Sequence, residues 1–130
     1  MTWIAVALGG ALGSIARHAV NHTVARLVGQ PSALSTAVVN IVGCAVIGAL
    51  AGMIAAGSLR MSPQLRTFVF VGVLGGFTTF SSFGLDTLTL VHDGRTTAAT
   101  TNVMVQVCLG LLAVFLSFNM FTAGPRHFGP

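Results

Sequence analysis

This 130-residue sequence predicts an all-α integral membrane protein of four transmembrane helices, the third of them broken. Three observations predict it. Hydrophobic residues make up 54% of the chain and charged residues 6%, and the mean hydropathy is +0.90. A soluble domain carries about 25% charged residues, and six arginines, two aspartates and no lysine cannot cover a soluble surface. Second, the apolar residues gather into four segments. Each has about 25 residues, enough at ~1.5 Å per residue to cross a ~30 Å hydrocarbon core. Third, one segment holds "LGGFTTFSSFGLD" (74–86), where Gly75-Gly76 and the hydroxyls of Thr78, Thr79, Ser81 and Ser82 interrupt an apolar run.

The helices are expected over about 3–28, 33–57, 65–91 with a break at 75–79, and 97–122. The connections "GQPS", "SLRMSP" and "HDGR" are short, and Pro31, Pro63 and Gly94 punctuate them as turn residues do. No linker or internal repeat is visible, so one membrane domain is expected to span 1–130. No cleavable leader is expected: "MTW" lacks a basic start, and the first apolar segment exceeds the length of a leader's core. Cys44 and Cys108 lie inside apolar segments and read as small packing residues. Gly9/Gly13, Gly48/Gly52 and Gly72/Gly76 have the four-residue spacing that lets membrane helices approach backbone to backbone.

Orientation is weakly encoded. Arg60, Arg66 and Arg126 fall on one side, and Arg26 and Arg95, with Asp93, on the other. So small a bias either just suffices to set one orientation or permits insertion both ways, which would allow an antiparallel homodimer with its two-fold axis in the membrane plane.

Polar groups at membrane depth are costly, which makes each a functional candidate. Asn40 brings two N–H donors and an acceptor into the second helix. The glycine and threonine pairs of the third helix weaken it enough to break. A break frees backbone carbonyls, which persist in a membrane only where protein, water or an ion satisfies them. The carbonyl end of the first half-helix can coordinate a cation such as Na⁺. Phe80 and Phe83, three apart, share a helical face, with Ser81 and Ser82 off it. The electropositive edges of phenyl rings can face an anion without trapping it.

Several functions are excluded or disfavoured. The scattered arginines form no basic run or face, which argues against nucleic-acid binding despite an isoelectric point near 11.3. His18 and His22 have metal-sharing spacing but no third ligand nearby, and they read as interfacial. His92 and His127 read as loop and tail residues. No nucleophile–base–carboxylate set and no phosphate loop can be assembled, so no enzyme is expected. A small proton-coupled cation or multidrug exporter needs a titrating carboxylate in its path; helices 1, 2 and 4 have none. A non-transporting membrane partner would have no use for a polar break.

The blocks "GGALGSIARH" (9–18), "STAVVNIVGCAVIG" (35–48) and "GVLGGFTTFSSFGLD" (72–86) resemble the Fluc (CrcB) family of fluoride channels over essentially all four helices. The resemblance implies a passive fluoride-selective channel in the cell's inner (plasma) membrane. It would export cytoplasmic fluoride for fluoride resistance, through two pores in an antiparallel dual-topology dimer. It implies a structural Na⁺ at the dimer centre, held by the backbone carbonyls of Gly75 and Thr78. Asn40, Phe80 and Phe83 match pathway residues, with Thr79 counted among them, Ser81 and Ser82 match the hydroxyl track beside the phenylalanines, and Arg17 matches a vestibule arginine. Departures are His18 for a usual aromatic, Ser82 for Thr, Gly84 for Ser and Asp86 for Glu. In helix 4, Asn102 and Gln106 stand where Tyr and Ser are common and are expected to line the path. Expected partners are fluoride, membrane lipid and a second copy of the chain. Some members pair with an oppositely oriented homologue, so a heterodimer fits as well.

Overall fold

The computed structural model describes residues 2–29 and 33–123; the expected turn at Pro31 and the tail residues Arg126 and His127 lie outside them. The described residues are helical throughout, apart from short turns and one interruption. Helix α1 spans Thr2–Val28, α2 Ala33–Ala55, α3 residues 63–77, α4 Phe80–His92 and α5 Thr96–Thr122. Four spans are long and apolar enough to cross a membrane: α1, α2, the α3–α4 pair and α5. The chain is a multi-pass membrane protein.

Local chemistry sets the ends. Pro63 occupies the first turn of α3, where its missing N–H costs nothing, and Ser62 caps that turn by accepting from Leu65 N–H at 3.3 Å. The third span therefore begins two residues before the expected Leu65. Helix α2 stops at Ala55 rather than residue 57, because Gly57 takes φ +74°. Ser58 N–H then donates to Met53 O at 2.9 Å and Gly57 N–H to Ile54 O at 3.1 Å, a Schellman closure. Gly94, at φ +72°, closes α4 the same way through Arg95 N–H to Leu90 O and Gly94 N–H to Val91 O.

Two wide-turned π stretches, Thr67–Leu74 in α3 and Val105–Leu109 in α5, depart from regular α geometry. Nothing in residue periodicity announces them. Such turns rotate the following side chains about the axis and recur beside functional sites. Here the first ends at Leu74, a few residues before the interruption at Thr78–Thr79, and the second holds Gln106, which meets Asn40 beside it.

The helices pack as two glycine-lined pairs. Helix α1 lies along residues 67–77, and α2 along Gly110–Thr122. A Cβ added at Gly9 would sit 2.5 Å from the Phe68 carbonyl oxygen and 2.9 Å from Gly72 Cα; one added at Gly76 would sit 2.6 Å from the Gly10 oxygen. Gly13 faces the Val73 carbonyl, Gly48 faces Ser117, and Gly52 faces the Phe118 backbone. All three expected glycine pairs are thus at helix contacts, where backbone meets backbone and no side chain fits. The buried core is correspondingly small: Val39 at 0% exposure, with Ala37, Leu74 and Ala99. Large apolar side chains such as Trp3, Leu12, Leu111 and Phe115 point outward, as a lipid-facing surface requires. Cys108, expected as a packing residue, is also exposed; Cys44 is half-buried.

Candidate functional site

The interruption of the third span is two residues long. Thr78 (φ −79°, ψ 158°) and Thr79 (φ −152°, ψ 114°) are extended, while Gly75 remains helical at φ −64°, ψ −36° and residues 75–77 continue the helix. The break expected at 75–79 is therefore confined to the threonines. Their β-branched side chains favour extended backbone, and close packing of Gly76 on Gly10 holds the glycine pair helical. Gly43 on α2 faces the Thr78 methyl group, which lets α2 press against the break.

Side chains replace the lost helical hydrogen bonds. Thr79 N–H, which an uninterrupted helix would aim at the Gly75 carbonyl, donates to Asn40 Oδ1 at 2.8 Å. Asn40 Nδ2 donates back to the Thr79 carbonyl at 3.0 Å. Ser82 N–H, which would otherwise reach the Thr78 carbonyl, donates to Thr79 Oγ1 at 3.2 Å, making Thr79 the cap of α4. The Gly75 and Thr78 carbonyls thus both lose their helical donors. The Thr79 hydroxyl also meets Ser81 Oγ at 3.2 Å and donates to Ser82 Oγ at 3.0 Å.

From Asn40 a line of amides runs away from the break. Asn40 Nδ2 donates to Gln106 Oε1 at 2.7 Å, Gln106 Nε2 to Asn102 Oδ1 at 2.9 Å, and Asn102 Nδ2 to Thr87 Oγ1 at 2.9 Å. The Thr87 hydroxyl ends it on the Phe83 carbonyl at 2.8 Å. Thr79, Asn102 and Gln106 are each only 8% exposed. Beside this line, the Thr36 hydroxyl donates to Asp86 Oδ2 at 2.6 Å.

A cavity of about 390 Å³ opens against the break. Of the residues singled out in the sequence, Asn40, Thr79, Phe80, Phe83, Gln106, Gly75 and Thr78 line it. Ser81, Ser82, Asn102 and Arg17 do not: the serines stand behind Thr79, Asn102 sits one turn from Gln106, and Arg17 is half-buried on α1. No lining residue is ionisable at neutral pH, since Cys44 is the nearest to one and a thiol stays protonated there. Phe80 and Phe83 face each other at 5.4 Å between ring centres with a 52° tilt, and Phe80 is 82% exposed. Arg66 rests over Phe70, another wall residue, at 5.9 Å. His18 and His22 stack at 6.3 Å on the exposed side of α1.

Thr36, Thr87 and Arg66 were not recognised in the sequence as parts of this region. A signal existed for the first two. Thr36/Asn40, Phe83/Thr87 and Asn102/Gln106 are all spaced i,i+4, so each pair shares a helix face.

The arrangement is a neutral, donor-bearing cavity inside a membrane protein, and comparison with known proteins agrees in kind. Residues 4–118 match the family described as "CrcB-like protein, Camphor Resistance (CrcB)". A protein of Paracoccus denitrificans is 48% identical over 120 residues, covering 92% of this chain and 93% of its own, and is named a fluoride-specific ion channel FluC. Proteins with the same name in Opitutus terrae and Methylobacillus flagellatus are 46% identical over 115 residues and 43% over 116; each match covers 88% of this chain, and 87% and 90% of the respective relative. With the match running through all four spans, the chain belongs to the CrcB-like family.

Proposed function

We propose that this chain forms a passive, fluoride-selective channel that lets fluoride leave the cell across the inner (plasma) membrane. The observation that carries the reading is the cavity at the break, which offers hydroxyl and amide groups and phenyl edges but no ionised side chain. Fluoride is small and strongly hydrated, so an uncharged path must supply many hydrogen-bond donors to replace its water. Without a fixed positive charge, the path does not hold the ion too tightly to release it. Asn40, Thr79 and Gln106 supply that polarity from the wall, with Ser81, Ser82 and Asn102 hydrogen-bonded behind them, and Phe80 and Phe83 narrow the path with their ring edges. Arg17 belongs to a vestibule at one end. Hydrogen fluoride that diffuses in ionises in the less acidic cytoplasm, so a passive anion leak suffices for resistance and no catalytic step is needed. The names of the relatives support this reading. A proton-coupled cation exporter would need a carboxylate in the wall, and the lining has none.

The working unit in this reading is an antiparallel dimer, or a pair with an oppositely oriented homologue, embedded in lipid. The exposed Phe80 and the exposed backbone of Gly75 would then face the partner. A structural Na⁺ fits the same face. The Gly75 and Thr78 carbonyls have lost their helical donors to Asn40 and Thr79, and a second copy would double the set. The ion would supply a central positive charge that holds these carbonyl dipoles together.

The test is efflux from liposomes loaded with fluoride and chloride, read with ion-selective electrodes. Rapid fluoride efflux without chloride efflux is expected. Absence of fluoride flux, or a flux that requires a proton gradient, would reject the reading.

A further inference from the structure

Resting on the channel reading, we infer that Arg66 collects the anion at one mouth of the path: its fixed charge raises the fluoride concentration in a groove that runs along α3 to the cavity at the break. The groove is open, of about 460 Å³, and is lined by Pro63, Arg66, Thr67, Phe70 and Val71, one face of α3. Phe70 also lines the cavity, together with Leu74, Gly75 and Thr78 farther along the same span. The two spaces therefore meet at one ring. Depth follows from the glycine contacts. Gly9 faces Phe68 and Gly72, and Gly13 faces Val73 and Phe77, so α1 and α3 run side by side in the same direction. Trp3 lies six residues before Gly9, or ~9 Å nearer the end of the helix. The same step back along α3 reaches about residues 62–66. Trp3 is 86% exposed, and tryptophan concentrates at the membrane–water interface. Arg66 thus stands at the water's edge, and the groove descends from it into the membrane.

Among the described residues, Arg66 is the one charged residue of the groove wall, and its side chain has no ion pair and no hydrogen bond. Of the two aspartates, Asp86 accepts from Thr36, and Asp93 follows α4 at the other end of the third span. Thr67 offers no competing donor, since its hydroxyl donates to the Pro63 carbonyl at 3.0 Å. The Phe70 ring holds the guanidinium, with Arg66 Cζ 5.9 Å from the ring centre. A guanidinium carried over a ring keeps its N–H donors for an anion. Position matters as much as charge. The cavity wall is neutral, so it does not concentrate a dilute anion, and a cation inside it would hold the ion too tightly to release it. Arg66 is nine residues from Gly75, ~13 Å along the helix. That exceeds the ~10 Å screening length of 0.1 M salt, so the charge acts on arriving ions and not on one already at the break. An exposed unit charge that meets an anion at ~4 Å in water raises its local concentration about fivefold.

The experiment measures fluoride conductance in planar phosphatidylcholine bilayers, with sodium fluoride on both sides of the same membrane at about 10 mM and then at about 1 M. The ratio of the two conductances does not depend on how many channels are present. A fixed charge reaches ~30 Å at the lower concentration and ~3 Å at the higher, so it acts on the first value alone. Relative to the unsubstituted protein, Arg66→Gln should lower the ratio about fivefold and Arg66→Glu further still, while Arg66→Lys should stay within about twofold. If Arg66→Gln yields no monodisperse protein, Arg66→Met takes its place with the same expectation. An unchanged ratio in the neutral variant overturns this inference alone. It would mean that the charge does not reach the path, because Arg66 only packs on Phe70 or because a lipid phosphate or a second copy covers it. An Arg66→Lys ratio as low as that of the neutral variant overturns it too, since stacking and not charge would then decide. Absence of fluoride conductance from the unsubstituted protein at the higher concentration removes the channel reading, and this inference with it.

Discussion

The seam between α1 and α3 and the seam joining α2, α4 and α5 solve opposite problems. The first brings two intact backbones together. Gly9, Gly13, Gly72 and Gly76 strip away side chains until carbonyls and Cα atoms touch, and its contacts are van der Waals ones. The second has a broken backbone to support. Asn40 reaches across to the Thr79 N–H and carbonyl, and Gln106, Asn102 and Thr87 continue the line side chain to side chain. Thr23, Thr100 and Ser117 do neither: each donates to a carbonyl of its own helix four residues back. A hydroxyl in a membrane helix is easily satisfied at home. Cross-helix contacts from a side chain to a backbone group therefore mark where the backbone needs outside help, and among the described residues the Asn40 amide gives that help at Thr79.

The contrast can be broken from either side. The largest effect is expected at the glycine seam. Gly9→Ala would place a Cβ within 2.5–2.9 Å of the Phe68 and Gly72 backbones, which cannot step aside. It should destabilise by about 3 kcal/mol, the upper range of overpacking, and reduce the yield of monodisperse protein in detergent. Its neighbour Gly10→Ala meets nothing within 4 Å and serves as the control for that experiment.

At the polar seam, Asn40→Asp should act on flux. The carboxylate still accepts from Thr79 N–H but opposes the Thr79 carbonyl and Gln106 Oε1. With two donated hydrogen bonds lost, fluoride efflux should fall about 100-fold; wild-type efflux would show that the amide does not hold the break. Phe80→Ile and Phe83→Ile should slow fluoride by about fivefold, the scale of a ring-edge interaction of ~1 kcal/mol. Phe80 is 82% exposed in the single chain, so its replacement should leave the chain's own fold intact, which circular dichroism and size-exclusion chromatography would check. The smallest effect belongs to Gly10→Ala, a change within about 1 kcal/mol, set by helix propensity.

Much of this was legible in the sequence, for identifiable reasons. The spans follow from length and apolarity, which depend on no neighbour. The glycine pairs were readable because a four-residue spacing fixes a helix face before the partner is known. The break was legible in existence but not in position. Glycine weakens a helix wherever it lies, yet Gly75 and Gly76 stay helical, and the interruption falls where Asn40 can replace the missing partners. That depends on α2 crossing at Gly43, a tertiary fact. The role of Gln106 was half legible: a polar side chain in a membrane helix is conspicuous, but its bond to Asn40 spans 66 residues and depends on the π turn at Val105–Leu109.

In the proposed function the neutral cavity at the break passes fluoride passively and refuses chloride. The most direct measurement is the zero-current potential of the protein in a planar bilayer, with a fluoride gradient, an opposing chloride gradient and equal pH on both sides. With a passive fluoride path the potential should follow the fluoride gradient, moving about 59 mV per tenfold change in it, and ignore chloride. A potential that follows chloride, or a membrane that carries no fluoride current, would contradict it.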